Sequence, residues 1–380
     1  METAEKHLHV VSFDVPFPAN YGGIIDVFYR IKTLSESGVK IHLHCFEYSR
    51  NRIRPKELDD ICFSVDYYQR KEKMLKMLSK LPYIVSSRKS GTLVENLLKD
   101  DYPILIEGLH CCMLLTDSRL ADRRKYVRMH NVEHDYYKSL AKVEKKWLKR
   151  LYLKMEVPRL EKYEKVLGNA TGILAITDKD KEYFESKGYP NVLCMPSAVK
   201  YDMVKTQNGR GTYALFHGQL SVAENYNAVI YLAKNVFSKM SIKLKVAGLN
   251  PPRFLEKMLQ KYPNIELIKN PSELEMNNLV KNAQVNVLVT NQATGLKLKL
   301  LNSLYNGRYC LVNSTMVEGT NLEPLCIVAD TPDDMKAKLK TIFDKDFDNE
   351  DLSFRIQCLD KHHNNALICS NLINEIFAQK

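Results

Sequence analysis

The sequence predicts an α/β protein of two doubly wound parallel-sheet domains that face a cleft. Three observations predict it. Short apolar strand patterns alternate with amphipathic helix patterns along nearly the whole chain, the mark of strand–helix–strand crossovers and so of parallel sheets. The 380 residues suffice for two domains of roughly 150 to 200 residues each. A polar joint near 197–212, containing Asn208, Gly209 and Gly211, interrupts the alternation, which then restarts.

In chain order, Leu8 to Asp14 reads as a buried strand and Ile24 to Ser37 as a helix stopped by Gly38. Lys40 to Phe46 alternates as a strand. Pro103 to Glu107, Lys125 to His130, Gly172 to Ile176 and Asn191 to Pro196 complete the first set, with a helix from Asp178. In the second set the expected strands are Tyr213 to Phe216, Lys243 to Ala247, Ile265 to Ile268, Val285 to Val289 and Tyr309 to Val312. The expected helices are Glu224 to Met240, Leu296 to Tyr305 and Asp333 to Phe343. This divides the chain into Rossmann-like domains over 1–199 and 200–363. In the tail, Leu367, Ile368, Leu372, Ile376 and Phe377 recur at helical spacing.

Composition narrows the function. No run of about 18 apolar residues occurs, so no transmembrane helix is read. The first ten residues lack the apolar stretch of a signal peptide, which points to the cytoplasm. Nine scattered cysteines without a Cys-x-x-Cys pair argue against a zinc ribbon and a disulfide framework, and read as buried thiols. Lys and Arg exceed Asp and Glu by 56 to 45, a field that favours anionic partners. The excess concentrates in segments 70–80 and 142–165, where Trp147, Leu148, Leu151 and Tyr152 sit among the charges. These segments read as solvated helix faces or as contacts to the inner membrane surface. No nucleic-acid motif accompanies the charge.

Ligands of open α/β sheets bind outside the carboxyl ends of the strands, so chemistry is sought there. Gly22 and Gly23 follow the first strand and open a helix, leaving backbone N–H groups free to meet a phosphate. The Gly-x-Gly-x-x-Gly fingerprint and the Gly-Lys phosphate loop are both absent. Glu107 and His110 follow one strand, and His130, Asn131 and Glu133 the next, where acid–base groups belong. His130 and His134 have the spacing of a helical metal pair but lack a third ligand. Asp178 and Asp180 are read as a helix start capped by Thr177. In the second half, Gly295 precedes a helix carrying Lys297 and Lys299, an anion-binding arrangement. Phe216 to Leu220, with Gly218 and nearby Asn225 and Asn227, is a second loop open to backbone approach.

Taken together these stretches resemble bacterial retaining glycosyltransferases of the GT-B fold, family 4 (group 1) type, over nearly the whole chain. Tyr21 to Gly23 is similar to the family's glycine-rich first loop, and His130 to Glu133 to a His-Asn-x-Glu segment. Phe216 to Leu220 with Asn225 is similar to its first C-terminal-domain loop, and Gly295 to Gly307 to its donor-binding helix. The family usually carries two glutamates eight positions apart around that helix; Thr294 and Asn302 stand there. A gapless match places Gly108 at the family's catalytic histidine, with His110 two residues later.

The resemblance implies transfer of a sugar from a UDP-sugar or GDP-sugar to a glycan or lipid-linked acceptor, without a metal or cofactor, in cell-surface polysaccharide assembly. It implies donor contacts from Gly22, Gly23, Gly218, Gln219, Asn225, Thr294, Gly295, Lys297, Lys299 and Asn302. Glu107, His110 and His130 are the implied catalytic group, with Tyr21, Asn131 and Glu133 on the acceptor side. It further implies that 364–380 returns to the N-terminal domain. Two rivals are a binding protein that retains the fold without turnover and a nucleotide-sugar epimerase.

Overall fold

The computed structural model describes residues 5–19, 22–47, 54–71, 80–144, 146–291 and 298–378. They fall into two compact units. One runs to Lys200 and resumes at His363; the other runs from Tyr201 to His362.

The first unit holds seven strands: β1 (Lys6–Ser12), β2 (Val39–Glu47), β3 (Ser64–Gln69), β4 (Ile104–Glu107), β5 (Lys125–Met129), β6 (Gly172–Ala175) and β7 (Val192–Cys194). Their order is β3-β2-β1-β4-β5-β6-β7 and every pairing is parallel. β4, β5 and β6 are buried at every residue, as strands covered on both faces must be. The strand order reverses between β1 and β4. Crossovers leaving these two strands turn to opposite faces and open a crevice at their carboxyl ends.

Helix Gly22–Glu36 follows β1 and buries Ile24, Val27, Ile31 and Leu34 at helical spacing, together with Asp26 and Arg30. Gly38 ends the turn at φ +85°, a conformation that only glycine adopts without strain. The C-terminal helix Asn365–Phe377 packs against this helix. It is capped by the Asn364 side chain and buries Ile368, Cys369, Leu372, Ile373 and Ile376. Helix Asp178–Ser186 starts under a Thr177 hydroxyl that accepts from the Asp180 N–H at 3.1 Å. Two further helices, Glu133–Val143 and Trp147–Glu164, form a hairpin.

The second unit holds β8 (Ala214–His217), β9 (Leu244–Gly248), β10 (Ile265–Lys269), β11 (Val285–Leu288), β12 (Tyr309–Val312) and β13 (Ile327–Val328). The order is β10-β9-β8-β11-β12-β13, again all parallel, with its reversal between β8 and β11.

Several elements depart from the sequence expectation. β3 was unread because Ser64–Gln69 has no continuous apolar run and is only partly buried. β13 is two residues long. Helix Asn349–His363 exposes Phe354 and Ile356, so its pattern shows no single apolar stripe. The helix expected over 224–240 is regular only to Tyr231; a wider turn over Leu232–Val236 and a tighter one over Phe237–Lys239 follow.

Candidate functional site

Each unit gathers polar residues at its own sheet reversal. In the first unit the anchor is a buried ion network. Glu107 is the last residue of β4, and His130 lies just past β5, on the neighbouring strand. His130 Nε2 donates to Glu107 Oε2 at 2.8 Å, while its Nδ1 lies 3.5 Å from Asp26 Oδ2. Arg128 donates to the same Asp26 oxygen through Nε at 3.2 Å and Nη2 at 3.1 Å. Arg128 also reaches the carbonyls of Ala175 and Met195. The Ala198 N–H donates to Asp26 Oδ1 at 2.7 Å. Arg30 pairs with Asp26 and sits 3.5 Å from Glu107.

Asp26, Arg30, Glu107 and Arg128 are at most 1% exposed, and His130 is 8% exposed. Burial alone would raise the Asp26 pKa; the Arg128 and Arg30 guanidinium groups, with His130, hold it well below the usual carboxylate range. The network therefore fixes four charges in the core and presents one ring, His130, at its edge.

Phe13, just past β1, joins the remaining pieces. Its ring stacks on His110 at 5.0 Å and meets His130 edge-on at 5.4 Å. A side chain at Gly23 would run into Phe13, with His130 Nδ1 3.8 Å away, so only glycine lets the helix start come this close. Gly108, with φ +76°, turns the chain from β4 into the tight helix Leu109–Thr116 that carries His110. Burial, with the charges of Arg88 and His130, pushes the His110 pKa well below its ordinary value, so the ring is neutral. Its Nδ1 has no hydrogen-bond partner among the described residues.

Glu133 opens the helix Glu133–Val143 and is 3% exposed. Burial pushes its pKa up to about 7, with Arg88 opposing and Glu164 adding to the rise. Asn131 is half-buried beside it. His134 turns away from His130 towards Glu164, whose Oε2 is 3.3 Å from its Nδ1. Among the described residues no group of three His, Cys, Asp or Glu is placed to hold a metal.

In the second unit, β8 leads into Gly218. The Asn225 carboxamide packs against Gly218 and donates to the Gln219 carbonyl at 3.0 Å. Lys299, on helix Leu298–Asn306, donates to Asn225 Oδ1 at 3.2 Å and lies over the Phe216 ring. His217 bonds the Ser303 hydroxyl at 2.9 Å, and burial beside Lys299 drives its pKa to about 3. A side chain on Gly248 would overlap the Gly218 carbonyl, so this glycine lets the loop lie against β9. Gly218, Gln219, Asn225 and Lys299 are thus brought together. Asn302 is turned elsewhere: its Oδ1 accepts from the Tyr201 hydroxyl at 2.6 Å and from Asn306 at 2.9 Å. Nearby, Glu224, Asn291, Asn313 and Asp330 line a polar cavity of about 250 Å³ at the carboxyl ends of β11 to β13.

Tyr21, Thr294, Gly295 and Lys297 lie outside the described residues, as do 72–79 and Lys145 of the two basic segments. Asp26, Arg30, Arg88 and Arg128 were missed by the sequence reading. A signal existed for three of them: Asp26 and Arg30 sit among the apolar positions of an amphipathic helix, and Arg128 sits within a core strand.

No protein-family model matches the chain. A relative from Klebsiella pneumoniae, an uncharacterized 44.6 kDa protein in a cps region, is 29% identical over 329 residues, 82% of this chain and 84% of the relative. Among solved structures, TarM aligns at TM-score 0.69 and 11% identity over 99% of each chain. Sucrose-phosphate synthase from Thermosynechococcus elongatus aligns at 0.63 and 11%, over 98% of this chain and 96% of that one. Anabaena HepE, solved in complex with UDP and glucose, aligns at 0.65 and 8%, over 98% and 100%. At such identities the likeness shows the fold, which is that of GT-B glycosyltransferases.

Proposed function

We propose that the chain is a glycosyltransferase that moves a hexosyl group from a nucleoside-diphosphate sugar to a glycan or lipid-linked acceptor. The observation that carries the reading is His130, held by Glu107 and Asp26 beside neutral His110 at the carboxyl end of a glycosyltransferase-type sheet. The first unit is the acceptor side and the second the donor side. The bond from the anomeric carbon to the diphosphate oxygen breaks, the acceptor oxygen takes its place with retention, and the acceptor proton leaves with the diphosphate.

A diphosphate leaving group needs positive charge and N–H donors fixed before reaction. Lys299 and the backbone around Gly218 and Gln219 supply these, with Thr294, Gly295 and Lys297 assigned the same task. Gly22 and Gly23, which open a 15-residue helix, are assigned to the phosphates as a source of backbone N–H donors. His130, Glu107 and His110 orient the sugar and acceptor, and no metal takes part. The Klebsiella relative's place in a cps region supports a role in cell-surface polysaccharide assembly.

The test is acceptor-dependent release of UDP or GDP by the purified protein. Glu107→Gln and His130→Ala are expected to lower kcat about 100-fold while the variants still melt cooperatively, and NMR of the product reads the anomer. Release that both variants leave intact contradicts the assignment. One observation favours a second reading, a binding protein without turnover: Asn302, where the family has a ribose-binding glutamate, already accepts from Tyr201 and Asn306. Nucleotide binding without any acceptor-dependent release would select it.

A further inference from the structure

The helix Trp147–Glu164 has an unusual outer face. Its first turns are exposed on nearly every side, with Leu153 and Glu156 alone buried before Val157. Trp147, Leu148, Leu151 and Met155 are 70%, 63%, 50% and 45% exposed. Spaced at i, i+1, i+4 and i+8, they form one continuous apolar stripe. A helix normally turns such a stripe to the core; here Leu153, Glu156 and Leu160 face inward and the stripe faces out. Large exposed side chains are ordinary when scattered, but a contiguous set marks a contact surface.

What surrounds the stripe identifies the partner. Lys146, Lys149, Arg150 and Lys154 are exposed beside it. Lys149 pairs with the Glu144 carboxylate, whereas Arg150 donates to the Glu144 backbone carbonyl, so Lys146, Arg150 and Lys154 keep the flank cationic. A groove of about 580 Å³ between this helix and Glu133–Val143 is lined by Lys138, Lys142, Arg150 and Lys154, together with His134, Asp135 and Glu161.

We propose that this hairpin docks on an anionic lipid bilayer. The Trp147–Met155 stripe enters the headgroup–acyl boundary, and the lysines and arginines meet lipid phosphates in and beside the groove. The apolar face matches the bilayer interior, tryptophan favours the interface, and long basic side chains keep their charges in the headgroup layer. A second copy of the chain fits the face less well. Pairing like with like about a two-fold axis would set these cationic flanks against each other within a Debye length. A nucleic acid would match the charge and leave the aliphatic stripe unanswered. The proposal stands apart from the transferase reading, since it uses none of the residues assigned there to donor or catalysis.

The test uses the full chain and its own reporter. Trp147 is the single tryptophan, so emission reads this face alone. The protein is titrated with vesicles of phosphatidylcholine, then with phosphatidylcholine containing phosphatidylglycerol. The expected result is a blue shift and co-sedimentation with the anionic vesicles, reversed by high salt. Leu148→Ser with Leu151→Ser is expected to abolish both while the melting temperature holds, because these positions are exposed. Lys146→Gln and Lys154→Gln are each expected to weaken partitioning about fivefold. Emission and sedimentation unchanged by anionic vesicles overturn the proposal. So does a blue shift that appears without lipid and grows with protein concentration, which assigns the face to a second copy.

Discussion

Glu133 illustrates how one buried group links stability to pH. Its carboxyl is nearly enclosed, and burial raises its pKa to about 7 from an ordinary value near 4.5. Between those values the folded chain holds a proton that the unfolded chain has released. Stability from this group is therefore full in acid and is lost as pH rises from about 4.5 through 7. Glu133→Gln keeps the shape and removes the charge. It is expected to stabilise the protein by roughly 2 to 3 kcal/mol near pH 8 and to change little near pH 5, as read by urea midpoints at both pH values. A variant equally stabilised at both would refute burial of the charge as the cause. The Asp26, Arg30, Arg128, Glu107 and His130 network obeys the complementary rule: charges in the core persist only when each has a partner, and removing one strands the others. His130, Glu107 and His110 were legible because they follow strand patterns. Their supports were not, since pairing between Asp26 and Arg128 depends on a contact across 102 residues.

At the scale of elements, β1 and β2 carry a second feature, legible once their pairing is known. Alternation puts His7 and His9 of β1 and His42 and His44 of β2 on one face. His9 Nε2 donates to Asp100 Oδ1 at 2.8 Å, so neutral His9 accepts at Nδ1 from His44 Nε2 at 2.9 Å. His44 Nδ1 then accepts from the Tyr68 hydroxyl at 2.9 Å, which accepts from Asn96. His7 and His42 pair likewise at 2.9 Å, and His42 meets Ser64. With His9 neutral the His9–His44–Tyr68 chain is satisfied; a proton added to His9 sets its Nδ1–H against the His44 Nε2–H. Burial first, then the neighbouring imidazoles, lowers His42 to about 4 and His44 to about 3, although Asp100 opposes. The unfolded chain thus binds more protons below about pH 6.5, and stability falls as pH drops from there towards 4. The sign is opposite to that of Glu133, and two rings outweigh one carboxyl. The melting temperature of Glu133→Gln is expected to fall steadily over this range, and more gently once His44→Phe is added. A flat profile would contradict the ladder's role. The strands themselves were readable from Leu8, Val10 and Val11 or Ile41 and Leu43. β3 was not, because an edge strand such as Ser64–Gln69 is held by pairing to β2 rather than by its own apolar run.

For the molecule as a whole, two parallel sheets were foreseeable from alternation alone, because each crossover repeats the same pattern; of the seven and six strands, only β3 and β13 escaped it. The sheet reversals then place the glycine loops, Glu107, His130 and Lys299 where ligands of such sheets bind. Function is less legible than fold. Thr294 and Asn302 depart from the expected glutamates, and a sheet end with a good histidine cluster specifies neither base nor sugar. Binding of a nucleoside-diphosphate sugar, as proposed above, is read by a metal-free thermal-shift titration with UDP, GDP, ADP, CMP and their common sugar conjugates. Ligand that binds only the folded state raises the melting temperature with the logarithm of its saturation. A saturable rise is expected with UDP or GDP and its sugars, reduced in Lys299→Ala. No rise with any of them at millimolar concentration would contradict the proposal.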